Sequence, residues 1–319
     1  MPLDPEMRAA LEVVGLDQMR DLRTRSVEDA VAWLRSGPKP APANLVRWEE
    51  RLLDQLRARI YWPEGGGPHP ILMNFHGGGW VTGSVEGDDL RCQRLAIGAG
   101  CIVISVDYRL APEHPFPGPL EDCLAATRWA HDHADEIGGD PSRIAVSGAS
   151  AGGNLAAAVT HMAREEGADW PMAQVLFYPV MDATARDDGP GGGPYYLTRA
   201  SMDWYWERYL NRSAARDDPR VSPLLTSSFS NAPQTIIIIA ELDPLAEEAR
   251  SYGARLREAG VRVSCVEERG VVHGFISLAP EHKKTLHSLE LTVKFLKSAF
   301  GDGHKRLIGP EEHENGTRA

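Results

Sequence analysis

Four consecutive isoleucines, Ile236 to Ile239, stand in the second half of the chain. A strand with one face in water alternates apolar and polar residues, whereas a strand covered on both faces can be apolar throughout. The isoleucine run therefore predicts a strand buried on both faces, which is typical of a parallel sheet with helices packed on each side. The run from Ile102 to Val106 has the same character.

Helical patterns separate most of the strands that the sequence predicts. The predicted strands are Arg57–Trp62, Pro70–Phe75, Cys101–Tyr108, Arg143–Val146, Gln174–Tyr178, Thr235–Ala240 and Val261–Glu267. The predicted helices are Asp88–Ile97, Pro119–Ile137, Gly152–Glu166, Pro244–Ala259 and His282–Ala299. This alternation predicts right-handed βαβ units in an open, mostly parallel α/β sheet.

Three parts of the chain depart from this alternation. Residues 1–55 are predicted to form N-terminal helices that contribute to a cap, and residues 56–300 to form the main domain, with a cap insertion at about residues 183–225. Residues 301–319 form a polar tail that we expect to be poorly ordered. The glycine-rich segment from Glu64 to Pro68 predicts a hairpin connection between two strands.

Charge and cysteine content disfavour several classes of partner. The formal net charge of the chain is -11, which argues against nucleic acid or an anionic membrane surface as the main partner. The four cysteines lack the spacing of metal ligands and predict reduced thiols. The first residues carry several charges and no apolar core of a signal peptide, and no stretch approaches the roughly 20 apolar residues of a membrane span. We therefore expect a cytoplasmic protein.

A serine lies at the junction of a predicted strand and a predicted helix. The segment Gly148–Gly152 contains Ser150 at its centre, with small residues on both sides. A tight strand-to-helix turn raises a serine hydroxyl above the sheet, where a histidine can reach it, and the close approach of the two backbones requires small neighbours. Ser150 is therefore predicted to be a nucleophile.

A base and an acid for this serine follow it in the chain. Asp243 comes directly after the isoleucine strand, and His273 follows the last predicted strand. In an open parallel sheet such groups come from the carboxyl ends of the strands, and the order serine, acid, histidine is the one that α/β-hydrolases use. Glu241, two residues before Asp243, is the competing acid.

A third element, His76–Trp80, contains three consecutive glycines and follows a predicted strand. Acyl transfer builds negative charge on a carbonyl oxygen, which backbone N–H groups can stabilise. Glycines allow the backbone to approach that oxygen closely. The N–H of Ala151, directly after the serine, would complete such an oxyanion hole at the positive end of a helix.

Taken together, these motifs resemble those of the hormone-sensitive-lipase-like esterases (bacterial family IV) of the α/β-hydrolase fold. The matching segments are His76–Trp80, Asp107–Glu113, Gly148–Asn154, Asp243–Leu245 and His273–Phe275, with Arg220–Leu224 resembling the family's return from cap to core. The resemblance implies a mostly parallel eight-stranded sheet flanked by helices, with a helical cap. It also implies that residues 56–300 form the catalytic domain.

The resemblance assigns a role to each candidate site residue. Ser150 would be the nucleophile, His273 the general base and acid, and Asp243 the group that orients the imidazole. The oxyanion hole would be formed by Gly78, Gly79 and Ala151, with Gly77 shaping the loop. His76 would brace that loop without taking part in the chemistry.

The activity that the resemblance implies is that of a serine carboxylesterase acting on short- to medium-chain acyl esters through an acyl-serine, without a metal or organic cofactor. Hydrolysis of a lactone, an aryl amide or an N-formyl group would use the same triad. A ligand-binding receptor similar to the plant gibberellin receptors would lack the histidine found here as His273. A lyase resembling the isoflavanone dehydratases would carry threonine in place of Ser150. The family usually has an acid where this chain has Ala149, which leaves the rigidity of the turn open.

Several further residues carry weaker predictions. Trp80, Trp204 and Trp206 are candidates for the wall of a substrate pocket, with packing in the core as the alternative. His131 and Asp135 have the spacing of ligands on one helix face, but no third ligand is evident, so we predict a solvated helix and no metal site. The strand near residues 261–267 is expected at the sheet edge, where a second copy could pair to form a homodimer.

Overall fold

The computed structural model describes residues 2–14, 22, 24–37, 39–186, 195–211 and 215–302. Its strands are β1 (Arg47–Leu53), β2 (Leu56–Trp62), β3 (His69–Phe75), β4 (Ile102–Val106), β5 (Gly139–Ala149), β6 (Ala173–Phe177), β7 (Gln234–Leu242) and β8 (Val263–Val272). They form one eight-stranded sheet in the order β1-β2-β4-β3-β5-β6-β7-β8. Strand β2 is antiparallel to both neighbours, and the pairings from β4 to β8 are parallel. The predicted eight-stranded, mostly parallel sheet is confirmed.

Helices cover both faces of the sheet. They are α1 (Pro5–Val14), α2 (Val27–Arg35), α3 (Asp89–Ala99), α4 (Gly118–Asp132), α5 (Ala151–Glu165), α6 (Arg199–Leu210), α7 (Ala246–Glu258), α8 (Phe275–Leu278) and α9 (Lys283–Asp302). Helices α2, α4, α5, α6 and α7 share one apolar core, and α1, α3, α8 and α9 share the other. Successive isoleucines of β7 enter opposite cores, since Ile237 belongs to the first and Ile238 to the second.

Strand β1 lies in the N-terminal part, which was predicted to contain helices. It pairs with β2 in antiparallel register from Arg47–Trp62 to Leu53–Leu56, so the hairpin turn falls at Asp54 and Gln55. Only Leu53 of this strand is buried. An edge strand with four charged residues among its seven carries little apolar signal, which is why the prediction missed it.

The hairpin predicted at Glu64–Pro68 is wrong. Strands β2 and β3, which this segment joins, are not neighbours, because β4 lies between them in the sheet. Glycine-rich turns also connect non-adjacent strands, and the sequence alone does not distinguish the two cases.

Side-chain contacts hold both N-terminal helices. The Asp4 carboxylate, just before α1, accepts hydrogen bonds from His282 Nε2 at 3.2 Å and Lys284 Nζ at 3.2 Å. Helix α2 begins after Ser26, whose Oγ accepts a hydrogen bond from the Asp29 N–H at 3.1 Å. This contact caps the first turn of the helix.

The long connection between β6 and β7 contains α6 and a short 3₁₀ turn at Pro223–Leu225. No strand is present in the described part of this connection. Asn154 of α5 joins its two ends, because its Nδ2 donates to the carbonyl oxygens of Val180 at 3.1 Å and Val221 at 2.9 Å. Part of the predicted insertion lies outside the described residues, as does the predicted tail (301–319) beyond residue 302. The first two residues of that tail, Gly301 and Asp302, instead belong to the end of α9.

Among the described residues, none of the helices combines the length and the apolar character needed to cross a membrane.

Candidate active site

Ser150 occupies a strained turn between β5 and α5. Its backbone has φ 55° and ψ -117°, a conformation that residues other than glycine rarely adopt. Hydrogen bonds hold it there: the Ser150 N–H donates to the Phe177 carbonyl at 2.9 Å, and the Ser150 carbonyl accepts from the Asn154 N–H at 3.1 Å. The predicted strand, sharp turn and helix are therefore present, with the serine at the apex.

Gly152 allows the first turn of α5 to approach the sheet. A Cβ at this position would lie 2.0 Å from the Phe75 carbonyl oxygen at the end of β3. A real Cβ cannot come so close, so only glycine fits here.

The structure brings Ser150, Asp243 and His273 together in one chain of hydrogen bonds. His273 Nε2 lies 2.8 Å from Ser150 Oγ, and His273 Nδ1 lies 2.7 Å from Asp243 Oδ2. The three residues directly follow β5, β7 and β8, three parallel strands whose carboxyl ends meet at one edge of the sheet. Hydroxyl, imidazole and carboxylate are thus placed for proton transfer from the serine to the histidine.

Asp243 is the acid in contact with the histidine, and Glu241 is not. The Asp243 side chain is 1% exposed, and its second oxygen accepts a hydrogen bond from the Leu245 N–H at 2.9 Å. Glu241 instead accepts from the Gly270 N–H at 2.7 Å, which ties β7 to β8.

The glycine loop is braced from behind by His76. Its ring stacks on Tyr108 with ring centres 4.1 Å apart, and its Nδ1 donates to the Gly77 carbonyl at 2.8 Å. The Tyr108 hydroxyl donates to the His76 carbonyl at 2.8 Å. Burial lowers the pKa of His76, which favours the neutral imidazole.

Helix α2 supports the same loop from outside. Arg35 donates from Nε to the Val81 carbonyl and from Nη2 to the Ala111 carbonyl, both at 2.9 Å. Its guanidinium also pairs with Glu113 at 2.8 Å. The N-terminal part of the chain therefore contacts the segment that follows the three glycines.

A cavity of about 240 Å³ opens in front of Ser150. Its walls include His273, the three glycines Gly77 to Gly79, and Ala149. The remaining lining side chains are mostly apolar or aromatic, and they are Tyr178, Tyr196, Leu197, Met202, Tyr205 and Leu278, with His76, Asp88 and Ser277 as polar members. Ala151 does not line this cavity, and its backbone N–H stands in the first turn of α5, directly after Ser150.

None of the three predicted pocket tryptophans lines this cavity. The Trp80 and Trp206 rings pack at an angle of 37° with centres 4.3 Å apart, and Tyr209 stacks on Trp80 at 4.4 Å, all within the core. Trp204 is buried as well and contacts Arg208. Of the aromatic run in α6, Tyr205 forms the wall instead. The run pointed to the correct helix, but the helical period alone did not reveal which face meets the cavity.

Replacing Gly79 with alanine should lower kcat by about 10²-fold, since removal of one oxyanion donor has effects of this size. Gly79 has φ 59°, and a Cβ there would lie 2.3 Å from the Tyr205 ring, so the loop would have to move. Gly100→Ala is the matched control, because Gly100 has φ 65° with open space around it. The measurement is steady-state ester hydrolysis by both variants. If Gly79→Ala and Gly100→Ala lowered kcat equally, backbone strain and not displacement of the glycine loop would be the cause of the lower kcat.

Glu248 is a buried carboxyl next to the loop that contains Asp243. Its Oε2 accepts hydrogen bonds from the N–H groups of Met181 at 3.2 Å and Asp182 at 2.5 Å. Nearby, Arg199 Nη2 donates to the Pro244 carbonyl at 3.0 Å. Burial raises the pKa of Glu248 to about 8, although Arg199 and the two N–H groups oppose this shift.

The raised pKa of Glu248 predicts a loss of stability in alkali. Because the folded-state pKa lies above its usual value of 4.5, the free energy of unfolding should fall as pH rises from about 5 to beyond 8. Glu248→Gln should flatten this decline by at least about 1 kcal/mol, because one pKa unit corresponds to about 1.4 kcal/mol. Urea unfolding at pH 6 and pH 9 measures the effect, with Glu247→Gln on the exposed side as control. An unchanged slope in Glu248→Gln would assign the decline to other groups.

In the described part of the chain, potential metal ligands lie together in one cluster. Asp4, Glu6 and His282 lie together, but Lys284 also bonds to Asp4 and supplies a positive charge there.

Helix α4 ends at Asp132, so His131 and Asp135 do not share a helix face as the sequence had indicated. His131 contacts Asp132 instead, at 2.8 Å.

Comparisons with known proteins agree with this geometry. Residues 72–277 match a family model described as the alpha/beta hydrolase fold. The carboxylic ester hydrolase LipN of Mycobacterium tuberculosis is 44% identical over 70% of this chain, and the match spans 62% of LipN, less than two thirds of its length. An arylesterase of Saccharolobus solfataricus is 36% identical over 86% of this chain and 93% of its own. The hyperthermophilic esterase of the archaeon Pyrobaculum calidifontis superposes with a TM-score of 0.80 at 36% identity, covering 93% of this chain and 99% of that structure.

Fold, motifs and relatives lead to one assignment: the chain belongs to the hormone-sensitive-lipase-like carboxylesterases of the α/β-hydrolase fold. It is an enzyme of the carboxylic-ester hydrolase class.

Proposed function

We propose that this protein hydrolyses short- to medium-chain acyl esters through an acyl-serine formed on Ser150. The observation that carries the proposal is the hydrogen-bonded chain from Ser150 through His273 to the buried Asp243, with contacts of 2.8 and 2.7 Å. The cavity of about 240 Å³ favours small esters, because pockets for drug-sized ligands span roughly 300–1,000 Å³.

In the proposed mechanism His273 accepts the Ser150 proton as the hydroxyl oxygen attacks the ester carbonyl. His273 then donates that proton to the departing alkoxide, and later removes a proton from the water that cleaves the acyl-serine. Asp243 fixes the imidazole so that Nε2 faces the serine, and stabilises the imidazolium.

The developing oxyanion would be held by the backbone N–H groups of Gly78, Gly79 and Ala151. None of the backbone hydrogen bonds in the described part of the chain uses the N–H of Gly78 or Gly79. Gly77 shapes the loop through the bond from His76 to its carbonyl.

The N-terminal helices and the insertion around residues 183–225 are proposed to form a cap over this site. Met202 and Tyr205 of α6 line the cavity, and Arg35 of α2 contacts Val81 in the segment that follows the three glycines, which supports this division. A homodimer through β8 is also proposed, because β8 lies at the end of the sheet and, among the described strands, pairs with β7 alone. A cytoplasmic location would suit the four free cysteines.

Hydrolysis of p-nitrophenyl esters from acetyl to palmitoyl tests the proposal, together with labelling by diethyl p-nitrophenyl phosphate. We expect a rate maximum at a short or medium chain and a phosphoryl group on Ser150 in the mass spectrum of the digested protein. Lactone, aryl amide and N-formyl substrates form a parallel arm. If the protein cleaved one of those substrate classes and no ester, the esterase assignment would be rejected, while the proposed roles of Ser150, His273 and Asp243 would stand.

A further inference from the structure

One part of the catalytic cavity is polar, although most of its wall is apolar. Asp88, Tyr178 and Ser277 all line the cavity. Burial raises the pKa of the Tyr178 hydroxyl, which has Arg91, Asp88 and Ser277 as neighbours. A few polar groups in a mostly apolar pocket usually fix the orientation of a ligand. None of these three side chains belongs to the proton-transfer chain described above.

The Asp88 side chain does not cap helix α3, although Asp88 is the residue just before that helix. Asp88 directly precedes α3, where an aspartate commonly caps the helix, yet its side chain makes no capping bond. Its Oδ2 instead accepts hydrogen bonds from Asn74 Nδ2 at 3.1 Å and from Arg91 Nη2. The Asp88 side chain is 7% exposed and that of Arg91 4%, so both charges of this pair are buried.

The second oxygen of Asp88 is available to a ligand. Both hydrogen bonds converge on Oδ2, and in the described part of the chain Oδ1 has no partner. This unpartnered oxygen is not fully buried, so it has accessible surface. Because Asp88 is otherwise buried and lines the cavity, we conclude that Oδ1 presents its lone pairs there. Ala149, on the same cavity wall, contributes only a methyl group.

We propose that Asp88 is a specificity-determining residue that accepts a hydrogen bond from a hydroxyl group of the ester substrate. The inference rests on the proposed esterase function and narrows its substrate class to hydroxylated esters. A neutral donor fits better than a cation, because the charge of Asp88 is already balanced by the buried Arg91. An ammonium group would place two cations against one carboxylate.

The test compares three esters that differ at one carbon: a hydroxylated ester, its methyl ether and its deoxy parent. One arm places the hydroxyl at successive carbons of the acyl group, and the other places it on the alcohol. At one position the wild-type protein should favour the hydroxylated ester over the other two by about tenfold or more in kcat/KM, as a hydrogen bond to a charged group allows. The two arms distinguish recognition of the acyl part from recognition of the alcohol part.

Asp88→Asn is the informative variant. Its amide oxygen can keep both bonds from Asn74 and Arg91, which turns the NH₂ group toward the cavity. The preference for hydroxyl over methyl ether should then fall to near one, because a donor now faces both substrates. A merely structural role would lower kcat/KM for all three esters equally and leave the ratio unchanged. The double variant Asp88→Leu/Arg91→Met removes both buried charges together and should also lose the preference for the hydroxylated ester. It replaces the single variant in the test if Asp88→Asn does not fold.

Ser277→Ala is the control within the same part of the cavity, and it should retain the hydroxyl preference. Loss of the preference in Ser277→Ala with retention in Asp88→Asn would overturn the proposal, as would a wild-type preference for the deoxy ester at every position. A stronger preference for an ammonium-bearing ester would overturn the argument for a neutral donor. Failure of the wild-type protein on every ester, p-nitrophenyl acetate included, would instead count against the esterase function itself.

Discussion

Ser150→Ala should lower kcat for ester hydrolysis by about 10⁶-fold, the size of loss seen when a serine hydrolase loses its nucleophile. Alanine cannot form the acyl intermediate, and the residual rate would come from the oxyanion donors and substrate binding alone. The measurement is p-nitrophenyl acetate hydrolysis at high enzyme concentration, with thermal unfolding as a check that the variant is folded.

Ser147→Ala is the matched control for this substitution. Ser147 lies three residues earlier, and its hydroxyl donates to the Met73 carbonyl at 3.0 Å inside the sheet. Its loss should reduce stability by about 1 kcal/mol, the value of one such hydrogen bond, and leave turnover near that of the wild type. Retention of substantial turnover in Ser150→Ala would reject Ser150 as the nucleophile.

Asp243→Asn should lower kcat by about 10⁴-fold at neutral pH, as replacement of a triad aspartate by asparagine does elsewhere. The amide would present its NH₂ group to His273 Nδ1 and so favour the tautomer with the proton on Nε2. A protonated Nε2 cannot accept the proton of Ser150, although the contact distances would change little.

Glu241→Gln separates the two candidate acids. Glu241 contacts the Gly270 N–H and not the imidazole, so its variant should keep most of the wild-type kcat. A larger loss in Glu241→Gln than in Asp243→Asn would exchange their roles.

The sequence predicted the central strands and the proximity of Ser150, Asp243 and His273 for one physical reason. Strands such as β7 are buried on both faces, so their apolar runs are continuous and easy to recognise. The carboxyl ends of parallel strands meet at one edge, so chemical groups that directly follow β5, β7 and β8 must lie close together. The exact contacts, including the choice of Asp243 over Glu241, required the structure.

Other features were not readable because tertiary packing decides them. Adjacent residues of a helix point about 100° apart, and α6 is aromatic over much of its circumference. Tyr205 therefore faces the cavity while Trp206 enters the core. Asp88 offered no signal either, since an aspartate before a helix ordinarily predicts a cap.

Helix α6 contacts the catalytic centre at two separate points. Its Tyr205 ring packs against Gly79, and its Arg199 donates to the carbonyl of Pro244, the residue after Asp243. Consider a chimeric enzyme in which α6 is replaced by the matching helix of a relative. The loop that contains Gly79 and the loop that contains Asp243 would keep their positions only if the new helix made both contacts. Because Tyr205 also lines the cavity, substrate range and the geometry of the site are therefore coupled through this one helix.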